Sequence, residues 1–181
     1  MCLEYIEEGD CLNALLAPRV FPPVATFRFA SQILEALRYI HLQNFAHRDV
    51  KLENIGFIYF DTPYILFKLG DFGLAKISGR YDGCKTFCGT LEYMAPEVAS
   101  TRVMNICYGQ QVDMWAFGIS LYIITTGESP YEDDGDHWQQ VSDGRVSLFG
   151  QMPLLIRVAV RTLLIRDPRL RSPSSDTFLL S

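Results

Sequence analysis

Hydrophobic spacing divides the chain into a small number of elements. Between Val24 and Ile40 the apolar residues Phe27, Ala30, Ile33, Leu34, Leu37 and Ile40 return at steps of three and four, which predicts one buried stripe of a long helix. Phe57–Phe60 and Tyr64–Phe67 are aromatic and β-branched runs on either side of Asp61-Thr62-Pro63, so a short hairpin is predicted there. Val112–Thr126 is apolar nearly all round, and a helix without a polar face belongs in the middle of a fold. Leu154–Ile165 is amphipathic, and Asp167-Pro168 stops it. The stretch Gly70–Glu97 has no regular period. It is longer than connections usually run, and structureless connections of that size are commonly functional. The pattern is mainly α with a small β hairpin, without repeats or low-complexity tracts.

Composition narrows this picture. A length of 181 residues is close to one domain of about 150 residues, enough to bury a core without a disulfide or metal staple. Hydrophobic residues at 49% and charged residues at 20% exclude a disordered or fibrous chain. Sixteen basic against twenty-one acidic residues leave a net charge of −5, which excludes a general nucleic-acid-binding surface but leaves room for basic peptides or metal-bound phosphates. Cys2, Cys11, Cys84, Cys88 and Cys107 are odd in number and contain no C-x-x-C pair, as expected of thiols in a reducing compartment. The N-terminus turns acidic within four residues, unlike a signal peptide, and the longest apolar run, Met114–Ile124, is too short to span a bilayer. The expectation is an intracellular protein, cytoplasmic or nuclear, with no membrane span.

Three short motifs carry the chemistry, in order: His47-Arg48-Asp49-Val50-Lys51-Leu52-Glu53-Asn54, Asp71-Phe72-Gly73 and Ala95-Pro96-Glu97. Taken singly, Asp49 is a loop or capping aspartate and Asn54 a turn residue. As an ordered set, the first in a loop after a predicted helix and the second after a predicted hairpin, they are highly specific. The chain resembles the large, C-terminal lobe of eukaryotic protein kinases over essentially its whole length. The first motif fits H-R-D-x-x-x-x-N at every fixed position.

The resemblance implies a protein-kinase-like large lobe of the α+β family, a partial kinase domain over residues 1–181. Residues 1–10 would be a hinge remnant, and 11–181 the lobe with catalytic loop 47–54 and activation segment 71–97. No G-x-G-x-x-G loop, V-A-I-K lysine or helix-C glutamate is found, so truncation at the hinge and before the last helix is expected. The implied activity is serine/threonine protein kinase, with ATP and Mg2+ as cofactors; the competing expectation is a non-catalytic kinase-like module that binds or regulates partners.

The implied roles follow residue by residue. Asp49 would accept the substrate hydroxyl proton, Lys51 would reach the γ-phosphate, and Asn54 and Asp71 would hold Mg2+. Lys51 resembles the serine/threonine branch. Leu52 departs from the family's common proline. Lys85–Glu97 resembles the T-F-C-G-T-P-E-Y-L-A-P-E segment of basophilic kinases, with Leu91 in place of proline. In that alignment Thr86 is an activating phosphosite facing Arg48, a target for an upstream kinase, and Thr90 bonds Asp49 and Lys51. Glu97 would pair with Arg171, Asp113 would hold the backbone around His47 and Arg48, and His47 and Phe72 would be packing residues.

At the hinge, Glu4 and Ile6 would meet adenine through backbone groups, Asp10 the ribose, and Leu3 would guard the back of the pocket. Gly56 stands where the family usually has leucine, predicting a poorly filled pocket floor. Glu53 and Asp10 imply a protein substrate with arginine or lysine before the target hydroxyl, and Phe87 an apolar residue after it. Ile123 stands where some basophilic relatives are acidic, so the second basic preference is expected to be weak. His41 and His137 read as isolated, without a role.

Overall fold

The computed structural model describes residues 5–16, 21–59, 64–78, 88–104, 108–132, 135–148 and 150–175. Leu3, Glu4, the Phe60–Pro63 turn, Thr86 and Phe87 lie outside the described residues.

A short helix α1 (Cys11–Leu16) leads to α2 (Pro23–Leu42), whose proline opening needs no amide donor in the first turn. The buried stripe of α2 is Ala25, Phe29, Ala30, Ile33, Leu34 and Leu37, whereas Phe27 is 39% exposed. Phe29 lies four residues before Ile33 and so takes the inward place expected of Phe27. The predicted hairpin is longer than its apolar core: β2 (Ile55–Tyr59) pairs antiparallel with β3 (Ile65–Leu69), from Ile55↔Leu69 to Tyr59↔Ile65. Gln32 fastens α2 to this ladder, donating from Nε2 to the Ile65 carbonyl (3.2 Å) and accepting from the Phe67 amide (2.7 Å).

A second pairing went unpredicted, because two-residue strands carry no legible period. β1 (Phe45–Ala46) pairs antiparallel with β4 (Lys76–Ile77), tying the entry of the loop 47–54 to the segment that follows Asp71-Phe72-Gly73. The remaining helices are α3 (Pro96–Met104), α4 (Gln111–Thr126), α5 (His137–Asp143) and α6 (Leu154–Leu163). α4 is buried from Val112 to Ile124, as its all-apolar sequence requires, and ends at Gly127 with φ 75°, a left-handed cap that suits glycine. α2 and α6 pack on it, and among the described residues no helix is long and apolar enough to cross a membrane. The fold is thus mainly helical with two small antiparallel ladders, set around the loop that follows β1.

Candidate active site

The loop between β1 and β2 is held from below by Asp113, in the first turn of α4. Its Oδ2 accepts the His47 amide and its Oδ1 the Arg48 amide, both at 2.8 Å. Asp113 is 1% exposed, so these charge-assisted bonds are shielded from water. They also hold Arg48 at φ 70°, a left-handed conformation that costs a non-glycine residue energy unless its surroundings enforce it.

Gly70 joins this loop to the segment that begins at Asp71. Its amide donates to the Asn54 carbonyl (2.8 Å), and its carbonyl accepts from His47 Nε2 (2.9 Å). The ring's other nitrogen accepts the Asp49 amide at 3.3 Å, so His47 is a neutral Nε2–H tautomer serving as a structural bridge. Phe72 packs edge-on against this imidazole with centroids 4.8 Å apart, but is 50% exposed, so it is only half the packing residue expected. Asp71, next to Gly70, is exposed, left-handed at φ 54°, and accepts the Gly73 amide on Oδ1.

Above this frame the polar side chains converge on one carboxylate. Lys51 Nζ lies 3.0 Å from Asp49 Oδ2 and donates to Thr90 Oγ1 at 2.9 Å. Thr90 in turn donates to Asp49 Oδ1 at 3.3 Å. Asn54 Nδ2 donates to the Asp49 carbonyl (2.9 Å) and to its Oδ2 (3.0 Å). Asp49 is therefore oriented by an ammonium, an amide and a hydroxyl drawn from two segments. With the Asn54 amide nitrogen on Asp49, no described residue bonds Asn54 Oδ1, and none bonds Asp71 Oδ2. Two free hard oxygens suit a cation that brings phosphate oxygens of its own. Among the described residues no group of three or more His, Cys, Asp or Glu is placed to hold a metal alone.

Arg48 points its Nε to the Leu74 carbonyl (2.6 Å) and Nη1 to the Tyr108 hydroxyl (3.5 Å). That hydroxyl also lies 3.5 Å from Cys88 Sγ, and burial, then the Cys88 contact, raises the phenol above its ordinary range. Tyr93 is raised likewise by burial and by the negative charge of Glu53 beside it. Below the site, Arg171 forks onto Glu97 at 2.6 and 3.0 Å and also donates to the carbonyls of Gln111 and Ile165.

At the other edge, residues 6–10 run onto the start of β2: the Phe57 amide donates to the Gly9 carbonyl, and Asp10 bridges Gly56. The predicted gap at Gly56 is filled, because the Ile6 side chain occupies the space a Cβ there would take. Asp10 spends both carboxylate oxygens on Asn13, accepting its amide (2.9 Å) and its Nδ2 (2.6 Å) to cap α1.

Two histidines that looked isolated are not. His41 is 8% exposed; its Nε2 donates to Asp113 Oδ2 and its Nδ1 contacts Ser174 Oγ, both at 2.8 Å. Its place four residues after Leu37 on the buried stripe of α2 was the available signal. His137 lies 3.4 Å from Glu92 Oε2 and against the Tyr131 ring, centroids 5.0 Å apart.

The protein kinase domain family matches residues 1–172. The chain belongs to the protein kinase family. Serine/threonine-protein kinase RAD53 of Saccharomyces cerevisiae is 39% identical over 140 residues, 72% of this chain and 17% of RAD53. The carbon catabolite-derepressing protein kinase of Secale cereale is 33% identical over 93% of this chain and 33% of that protein. Cds1 of Schizosaccharomyces pombe is 38% identical over 71% of this chain and 28% of its own length. The crystal structure of the Rad53 kinase domain and SCD2 in complex with AMPPNP superposes with a TM-score of 0.76 at 29% identity, covering 95% of this chain and 64% of that one. The kinase therefore spans a minority of the length of these curated relatives, all serine/threonine or protein kinases by name.

Proposed function

We propose that this kinase chain contributes the catalytic and activation segments of an ATP- and Mg2+-dependent transfer of the γ-phosphate to serine or threonine hydroxyls of proteins. The observation that carries the reading is the convergence of Lys51, Asn54 and Thr90 on Asp49. In phosphoryl transfer the loose transition state needs positioned groups more than covalent help. Asp49, fixed by its donors, orients the incoming hydroxyl and accepts its proton. Lys51, within 3.0 Å of Asp49, balances negative charge at the point of transfer. Thr90 ties the activation segment to that pair, so a displaced segment leaves Lys51 and Asp49 without their common partner. Asn54 Oδ1 and Asp71 Oδ2 would hold Mg2+, which when bound with ATP neutralises charge on the phosphates.

Binding of adenine at Glu4 and Ile6 belongs to the same reading. Ile6 already packs on Gly56, so its side chain forms the wall there, whereas Asp10 would have to share its capping carboxylate with a ribose. Phosphate on Thr86 would add a charge near −2 for Arg48 to meet. Glu53 favours basic residues ahead of the target hydroxyl. A nucleotide-dependent enzyme of this kind belongs in the cytoplasm or nucleus.

The sequence 1–181 has no glycine-rich loop or V-A-I-K lysine, and these cover and neutralise the phosphates in the family. Purified 1–181 given radiolabelled ATP, Mg2+ and a basic peptide is expected to fall well below the kinase range of about 1–100 per second. Fused in frame to the small lobe of RAD53, it should transfer phosphate, and Asp49→Asn in that fusion should reduce the rate by about 10²-fold or more with the fold intact. Retention of most activity by Asp49→Asn would remove the role assigned to that carboxylate.

A further inference from the structure

A cavity of about 160 Å³ opens between the last turn of α2, the first turn of α4 and the segment Pro173–Ser175. Arg38, His41 and Leu42 line it from α2, Met114 from α4, and Ser174 and Ser175 from the third side. None of them belongs to the catalytic loop or the activation segment. Arg38 is exposed, and among the described residues no hydrogen bond or ion pair reaches its guanidinium. No carboxylate among the described residues lines the space, and the nearest buried one, Asp113, is already bonded to His41. The walls thus combine one cation without a partner among the described residues, two hydroxyls, the side-chain amides of Gln110 and Gln111, and the apolar Leu42 and Met114. A guanidinium fork with hydroxyls beside it matches carboxylate or phosphate oxygens. The volume is below the roughly 300–1,000 Å³ of drug-sized sites, so any apolar body attached to the anion must be short.

What sets this cavity apart is the connection behind its wall. Ser174 Oγ and His41 Nδ1 are 2.8 Å apart, His41 Nε2 donates to Asp113 at 2.8 Å, and Asp113 holds the His47 and Arg48 amides at 2.8 Å. Ser174, His41 and Asp113 are 7%, 8% and 1% exposed, so no water shell competes along the path. A ligand that takes up the Ser174 hydroxyl removes one of the two partners fixing the His41 ring, and the ring's other bond is to the carboxylate that sets the catalytic loop.

We propose that this cavity is a binding site for a small organic anion, a carboxylate or phosphate monoester on a short apolar body, and that its occupancy is transmitted through His41 and Asp113 to the backbone of His47 and Arg48. Neither part requires phosphoryl transfer, so the proposal stands or falls apart from the catalytic reading.

The test is an ¹H–¹⁵N titration of labelled 1–181 with phenyl phosphate, benzoate, inorganic phosphate and neutral phenol, with potassium chloride matched for ionic strength. Phenyl phosphate or benzoate should shift the Ser174 and Ser175 amides saturably at millimolar concentration, and phenol should not; the stronger of the two anions identifies the head group. The amides of His47 and Arg48 should move with the same midpoint. Arg38→Gln, at an exposed position, should weaken binding about tenfold. Ser174→Ala should weaken binding less than Arg38→Gln does, leaving it saturable at the Ser175 amide, but lose the shifts at His47 and Arg48. Absence of saturation, equal response to phenol or to potassium chloride, or indifference to Arg38→Gln overturns the site. Saturable binding with static His47 and Arg48 amides overturns the transmission.

Discussion

At the scale of single residues, Arg171 shows how much one side chain can hold. Its guanidinium meets both Glu97 oxygens and the carbonyls of Ile165, Gln111 and Arg166, and lies over the Trp115 ring at 5.1 Å. With the arginine side chain fully buried, no water can substitute for a lost bond. Lysine keeps the charge but loses the fork. Arg171→Lys is therefore expected to lower stability by about 3 kcal/mol or more, read as a drop in urea midpoint at unchanged slope. A loss under about 1 kcal/mol, the worth of a surface pair, would show that the pair is not shielded as its geometry indicates. Asp10 teaches the complementary lesson. A carboxylate that looks free for ligand in a sequence can be engaged by a neighbour three residues away, here Asn13.

Among the elements, the contact of α4 with α6 is the tightest test. Gly118 is in the middle of α4, and a Cβ there would meet Leu164 Cδ2 at 2.8 Å and Leu163 Cβ at 2.9 Å. Alanine is the better helix former by about 1 kcal/mol, whereas overpacking a filled core costs about 1–3 kcal/mol. The Leu163 contact involves an atom fixed close to the backbone, which cannot move aside by rotation, so the steric effect should win. Gly118→Ala is expected to be net destabilising in thermal or urea unfolding; a stabilised variant would mean that α6 shifts freely on α4. The pairing of β1 with β4 acts at the same scale, since two residues of ladder are enough to bring the start of the loop 47–54 into register with the segment after Asp71.

For the whole molecule, the buried acids set its response to alkali. Burial, and next the charge of Asp10, raises the Cys11 thiol, and burial chiefly raises the phenols of Tyr93 and Tyr131. Above about pH 8.5 for the thiol and pH 10 for the phenols, the unfolded chain has lost protons that the native chain retains. Fewer protons bound in the unfolded state means that stability falls as pH rises, by up to about 1.4 kcal/mol per pH unit for each group inside its window. Urea midpoints should thus decline from pH 8 upward, with the thiol of Cys11 resisting iodoacetamide until the chain unfolds. A flat profile to pH 10.5, or rapid native-state alkylation of Cys11, would contradict that burial. At the acid end, Asp167, held at about 2 by bonds from Arg169, is a partly exposed surface group whose pairing solvent screens, so no comparable loss is expected from it.

The order of motifs, the α4 core helix, most of α2 and the hairpin were legible in the sequence, because each depends on periodicity or on short fixed spacing. Asp49, Lys51, Asn54 and Thr90, and the Glu97–Arg171 pair, could be named only through the resemblance to protein kinases that those ordered motifs carry. What the tertiary structure decided lies between residues that local patterns cannot relate. His41 meets Asp113 across 72 residues and Ser174 across 133, and nothing near any of the three announces the others. Ile6 fills the space at Gly56 only because the chain returns fifty residues later to pass beneath it. Periodicity reports which face of an element is buried; which partner buries it, and which polar group finds its bond there, depends on how the elements pack.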